Sequence, residues 1–337
     1  MMMNETNNNM NAVERAGSPL IELRDVRKYF QKGAWTPGKR QCVKAVDGFS
    51  LKIYDGQTVG LVGESGCGKS TLGRTVLNLY PATSGSIAYQ GEQIEKLSFK
   101  QMRPFRKEMQ MIFQDPYASL NPRRTIIQSM EEPLELFHLG NKAERREQAS
   151  ALLNEVGIGK EHLDKFPHEL SGGQRQRITI ARSMILNPRF VVADEPVSAL
   201  DVSVRSQVLN LMQRFQGEYD LSYLFISHDL SVVRYLCDRV VVMYLGKIVE
   251  CADKHELFDH PAHPYSQALI SAIPVPDVHR KTRRIVLEGD LPSPADPPSG
   301  CVFHTRCRYA AEECRTVCPE LMSINGTHQV ACHRAGE

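Results

Sequence analysis

The chain has 337 residues, 42% apolar and 24% charged, with 41 basic against 39 acidic side chains and a net charge of +2. That supplies apolar material for one large or two modest cores. The near balance of charge excludes a protein drawn to nucleic acid or an anionic membrane by long-range attraction.

The first segment, MMMNETNNNMNAVERAGSP, lacks the basic start and apolar centre of a secretory signal, so residues 1–18 are expected to form a disordered polar tail. Apolar runs such as RFVVAD and VVVMYL are strand-length and far short of a membrane span. A cytoplasmic chain with reduced thiols is therefore expected. Residues 20–58 and about 85–95 read as a small antiparallel β-subdomain, interrupted by the Gly/Pro-bearing insert QKGAWTPGKR.

Within VGLVGESGCGKST, the apolar strand Val59 to Val62 runs into Gly63, Glu64, Ser65, Gly66, Cys67, Gly68, Lys69, Ser70 and Thr71. This is the G-x-x-x-x-G-K-[ST] pattern between a strand and a helix. Glycines let successive N–H groups point inward as an anion nest, and the helix adds its positive end. Lys69 would then reach the β- and γ-phosphates and Ser70 would ligate Mg²⁺. A chance Gly-rich turn is the plain alternative. Cys67 reads as a small spacer and not as a nucleophile.

Residues 100–180, with stretches such as KAERREQASALLNEVG, are expected to form a helical subdomain. In HELSGGQRQRITIARSM, Ser171 can cap a helix. The cap accounts for the serine but not for Gly172, Gly173 and Gln174, which would expose N–H groups at a positive helix end. In NPRFVVADEP, a buried strand ends in Asp194 and Glu195. Asp194 would hold Mg²⁺ opposite Ser70, and Glu195 would orient the attacking water. From about residue 259 prolines cluster at 261, 264, 274, 276, 292, 294, 297 and 298, as in an irregular extension. The basic run HRKTRR inside it reads as a solvated linker, without aromatic platforms for nucleic acid.

The LSGGQ stretch and the order of these motifs resemble the ATP-binding subunits of ABC transporters. The resemblance implies a P-loop NTPase nucleotide-binding domain of α/β class, with a RecA-like parallel core, an antiparallel β-subdomain and a helical subdomain. It would span residues 19–258, followed by a Cys-rich extension at 259–337. It also implies that Gln114 in MIFQDPYASLNP is the Q-loop glutamine and a Mg²⁺ contact beside Ser70 and Asp194. Ser198 and Asp201 belong to a D-loop, His228 in FISHDLSVV is a switch histidine, and Phe30, or its neighbour Tyr29, stacks on adenine. Catalysis would fall to Glu195, His228 and Gln114. Ser171, Gly172, Gly173 and Gln174 would act on the ATP of a head-to-tail partner.

The stretches HPAHPYSQALISAIPVPD and LEGDLPSPADPPSGCVFHTRC resemble the C-terminal region of oligopeptide and dipeptide importer ATPases, most of all the second ATPase subunit, the OppF/DppF type. The implied role is ATP hydrolysis that drives peptide uptake. The implied partners are a second homologous ATPase, two transmembrane permeases and, through them, an extracytoplasmic peptide-binding protein. The implied place is the cytoplasmic face of the bacterial inner membrane. Nickel, glutathione or another solute is the alternative cargo. A soluble ABC ATPase acting on nucleic acid or ribosomes is the alternative class, opposed by a single cassette without sustained heptads.

Five of the nine cysteines fall near the end of the chain. Cys301, Cys307, Cys314 and Cys332 are separated by five, six and seventeen residues, spacings that fit neither zinc pairs nor the common ferredoxin runs. By resemblance to the peptide-importer branch, these four are expected to hold a [4Fe–4S] cluster, with zinc or no metal as alternatives and Cys318 as a spare. Cys42, Cys237 and Cys251 read as packing residues.

Overall fold

The computed structural model describes residues 17–32, 41–274 and 284–335. Most of the expected tail, most of the insert and most of the HRKTRR run lie outside these residues.

The chain begins with β1 (Ile21–Lys32), β2 (Gln41–Ile53), β3 (Thr58–Val62), β4 (Ser84–Tyr89), β5 (Glu92–Gln93) and β6 (Met109–Ile112). After a run of helices come β7 (Phe190–Asp194), β8 (Ser222–Ser227), β9 (Arg239–Tyr244) and β10 (Lys247–Asp253), and near the end β11 (Met322–Asn325) and β12 (His328–Val330). β2-β1-β4-β5 form one antiparallel sheet, within the residues expected to make the antiparallel β-subdomain. The second sheet has the order β11-β12-β10-β9-β3-β8-β7-β6. Its five strands from β9 to β6 run parallel. β3, β7 and β8 are buried along their whole length, as near-continuous apolar strands must be when both faces are covered. Their C-terminal ends, where ligands bind in such sheets, carry Gly63, Asp194 with Glu195, and His228.

Between β6 and β7 the chain leaves the sheet as a helical arm. Helix Ile126–Leu136 starts at a Thr125/Gln128 capping box and helix Lys142–Glu155 at an Asn141/Glu144 box. Met130, Leu134, Ala149 and Leu153 form part of the arm's buried core. The interval 100–180 is thus not helical throughout. The apolar run MQMI pairs with β7 as the sheet's edge strand β6.

The C-terminal extension is tied back onto the core. β12 pairs with β10, so β11 and β12 lengthen the sheet on the side opposite β6. Glu250 on β10 is fully buried, and its carboxylate accepts from the backbone N–H of Ala262 and of His263 at 2.7 and 3.0 Å. His328 Nε2 lies 2.7 Å from the same carboxylate. Cys301, Val302 and Phe303 join the apolar cluster that also contains the helical arm. Among the described residues no helix is long and apolar enough to cross a membrane.

Candidate functional site

The loop Gly63–Gly68 joins β3 to helix Lys69–Val76. Glycine is required at two points. Gly68 has φ +110°, and a Cβ there would lie 1.9 Å from the Ala45 carbonyl oxygen; at Gly63, φ +153°, it would lie 2.2 Å from that of Met243. Space beside Gly66 is open. Lys69, almost wholly buried, folds its ammonium onto the loop and donates to the carbonyls of Gly63 and Glu64 at 2.8 and 2.9 Å. Cys67 is buried beneath the loop, and burial pushes its thiol up, so it stays protonated.

Ser70 donates to Asp194 Oδ1 at 2.7 Å. Asp194 is fully buried, and burial raises its pKa despite that bond and the nearby Arg74 guanidinium, 3.9 Å from Oδ2. Oδ2 accepts no hydrogen bond from the described residues, which leaves it a buried oxygen with the Arg74 ion pair near it. Glu195 follows with φ +48°, a strained value for a non-glycine residue, held by its N–H donating to the Ile226 carbonyl. Its carboxylate is where three separate segments meet. Gln114 Nε2, just beyond β6, donates to Oε2 at 3.1 Å, and His228 Nδ1, just beyond β8, lies 3.2 Å from the same oxygen. Ser198 Oγ donates to the Glu195 carbonyl at 3.0 Å.

The two aromatic candidates differ. The Tyr29 hydroxyl donates to Asp47, and burial, with that bond, raises its pKa to about 12. Phe30 is exposed, edge-on to Tyr80 at 5.7 Å, with Lys28 Nζ 4.9 Å from its ring centre. Tyr80 accepts from Arg74 Nη1 at 3.3 Å, which links this aromatic edge to the Asp194 region.

Ser171 caps helix Gly172–Met184, and Gln174 closes the capping box through the Ser171 N–H. Its amide also reaches His162 Nε2 at 3.2 Å. The glutamine, which a simple cap did not explain from sequence, therefore has a local structural use. Gly173 has one too, since a Cβ there would meet Val204 Cγ1 at 2.5 Å. Gly172 has none, because it is exposed with nothing near its absent side chain. Asp201 caps helix Val202–Tyr219 by accepting from Val204 and Ser203 N–H, which holds its carboxyl below the usual range.

The cysteine expectation is corrected. Cys301, Cys307, Cys314 and Cys332 do line one cavity, but its volume is about 20 Å³, room for roughly one water molecule. Among the described residues no group of three or more His, Cys, Asp or Glu side chains could hold a metal ion. Burial raises the thiols of Cys307 and Cys332 and pushes that of Cys301 up to about 11. These are protonated packing thiols, and an iron–sulfur cluster is not supported. Cys318 is exposed; Cys237 and Cys251 are buried and Cys42 half-buried, each a free thiol.

Residues absent from the sequence reading also reach the site. Arg74, signalled only by its basic place in the last turn of the loop helix, lies 3.9 Å from Asp194 Oδ2. Tyr265 and Arg306 reach the loop itself. The Tyr265 hydroxyl accepts from Glu64 N–H at 2.8 Å, and Arg306 pairs with the Glu64 carboxylate. They lie 201 and 242 residues away along the chain, and no spacing rule announces them.

Comparison with known proteins bears on the same regions. A family model described as ABC transporter matches residues 46–198. Another, described as the oligopeptide/dipeptide transporter C-terminal region, matches residues 249–314. The chain is 53% identical over 318 residues to the oligopeptide transport ATP-binding protein AppF of Bacillus subtilis, covering 93% of this chain and 97% of that one. It is 46% identical over 331 residues to the oligopeptide transport ATP-binding protein OppF of Escherichia coli, covering 96% and 98%. The dimeric ATP-binding cassette MJ0796, solved in a post-hydrolysis state bound to ADP and Pi, superposes with TM-score 0.63 at 26% identity, covering 69% of this chain and 98% of that one.

Proposed function

The chain belongs to the oligopeptide-transport ATP-binding proteins of the ABC transporter family, and from that premise we propose how its residues carry the work. It binds and hydrolyses ATP as the energising subunit of a peptide importer, with membrane permeases as partners.

One observation supports the site assignment above all. Gln114, Glu195 and His228, from three segments, converge on one carboxylate next to the Ser70–Asp194 pair and the glycine loop. The residues suit a nucleotide polyphosphate. The loop is open beside Gly66, Lys69 lies on carbonyls it can exchange for phosphate oxygens, and Asp194 keeps a buried oxygen without a donor. Ser70, Gln114 and Asp194 would hold Mg²⁺, which would neutralise phosphate charge when bound. Backbone N–H groups of Gly66 to Thr71 and the Lys69 ammonium would bind the phosphates, and Phe30, not the engaged Tyr29, would face adenine. Glu195 would orient the attacking water and draw on its proton. Gln114 and His228 would hold that carboxylate in place, and Ser198 of the D-loop donates to the Glu195 backbone carbonyl.

The exposed Gly172 N-terminus, with open space beside Gly172 among the described residues, would take the γ-phosphate of a head-to-tail partner, a second homologous ATPase. ATP would close the pair, and hydrolysis would reopen it. We place the subunit on the cytoplasmic face of the membrane, with a peptide-binding protein acting from the other side. The test is hydrolysis by the assembled transporter in proteoliposomes. Peptide-loaded binding protein should stimulate it severalfold. A response to nickel or glutathione but not to peptide would overturn the cargo.

A further inference from the structure

We infer that Arg306, supported by Tyr265, is a positioning residue that sets the charge and shape of the phosphate loop from the C-terminal extension. This rests on the reading of residues 63–71 as the phosphate site. Those nine residues carry one lysine and one glutamate, a formal charge of zero in a loop that must hold a polyphosphate. Arg306 removes that deficit. Its Nη1 and Nη2 donate to Glu64 Oε2 and Oε1 at 2.6 and 3.1 Å, a two-pronged pair with the arginine only 8% exposed. A planar guanidinium fixes a carboxylate in direction as well as distance, and partial burial limits screening.

The contact continues into the loop. Tyr265 accepts from the Glu64 N–H, Arg306 holds the Glu64 side chain, and the Glu64 carbonyl accepts from Lys69 Nζ at 2.9 Å. One residue of the loop thus has its N–H and its carboxylate fixed by the extension while its carbonyl carries the phosphate-seeking lysine. The holding residues are themselves rigid. The rings of Tyr244, Tyr265 and Phe303 pack with centroids 4.8 to 5.4 Å apart, and Arg306 ends the 3₁₀ turn that follows Phe303. The extension therefore acts on nucleotide affinity, and a rearrangement of it would be felt first at Glu64 and then at Lys69.

The test is equilibrium binding of a fluorescent, slowly hydrolysed ATP analogue with Mg²⁺ to the full chain. Arg306→Gln leaves the Glu64 charge uncompensated and should weaken binding about tenfold. Glu64→Gln should change it less than about threefold, and the double variant should return to within about threefold of the unaltered protein. An extension that merely supports the fold would give no such rescue, so a double variant as weak as Arg306→Gln overturns the inference. So does unaltered affinity in Arg306→Gln while Lys69→Ala binds weakly. If Lys69→Ala also binds normally, the phosphate-loop reading falls and the inference with it. Should Arg306→Gln not fold, Tyr265→Phe, which removes one hydroxyl and keeps the ring, should weaken binding about threefold; no change there overturns the proposal.

Discussion

The glycine loop proposed to hold phosphate and the thiol-lined corner of the extension are built by different means. In the loop region, strand ends and a helix start place every reactive group: Lys69 and Ser70 begin a helix, Asp194 ends β7, and Gln114 and His228 follow β6 and β8. In the extension, the four thiols come from a turn, a short helix and irregular chain. Regular elements in a common sheet fix their ends to one edge, so polar groups converge there and stay partly unpaired. The irregular chain instead packs its thiols around a cavity the size of one water, where burial raises the pKa of Cys301, Cys307 and Cys332. Convergence of polar groups marks chemistry, and closeness of buried thiols does not by itself mark a metal.

Four experiments press on that contrast. The largest effect is expected at the convergence point. Glu195→Gln should lower ATP turnover in the assembled transporter by about 10³-fold while leaving ATP binding intact and accumulating a closed dimer. Near-normal turnover would remove Glu195 from the water. Lys69→Ala should weaken ATP affinity by about tenfold or more, because it deletes the one cation of the loop; a binding titration shows it.

In the extension, alkylation at neutral pH read by mass spectrometry should mark the exposed Cys318 at least about tenfold faster than Cys301, whose raised pKa leaves little thiolate. Equal rates would mean that the corner opens in solution.

The smallest effect concerns the buried knot on β10. The His328 pKa is raised, first by its hydrogen bond to Glu250. Its stabilisation is therefore fully present below the unfolded value, about 6.5, and is lost as pH rises through the folded value. His263 is depressed by burial to about 4, so it costs stability as pH falls from about 6.5 toward that value. Thermal unfolding across pH should show an alkaline loss of stability that His328→Gln abolishes, while the acid-side loss persists. An unchanged alkaline slope would assign that loss to other groups.

Much of this was legible from sequence because the physics there is local. A glycine loop between an apolar strand and a helix can fold in few ways, and the capping serine at 171 and the strand-ending Asp194 and Glu195 carry their own positions with them. The resemblance to ABC ATPases added Gln114 and His228, whose spacing alone says little. The thiols show the limit. Their sequence clustering was real, but ligand geometry depends on how irregular chain packs, and the expected cluster did not survive that packing.

By itself the sequence determined the apolar strands, the glycine loop between strand and helix, and the Ser171 cap, because each depends on residues within a few positions of one another. Only the tertiary structure decided that the Tyr29 hydroxyl is engaged by Asp47 while the Phe30 ring stays exposed, that Gly173 is a packing residue while Gly172 is open, and that β12 extends the core sheet. It alone joined Arg306 to Glu64, since a contact between such distant residues arises from the burial of Phe303 and Tyr265 against Tyr244. Hydrophobic burial has no sequence register, and what it brings together cannot be counted off along the chain.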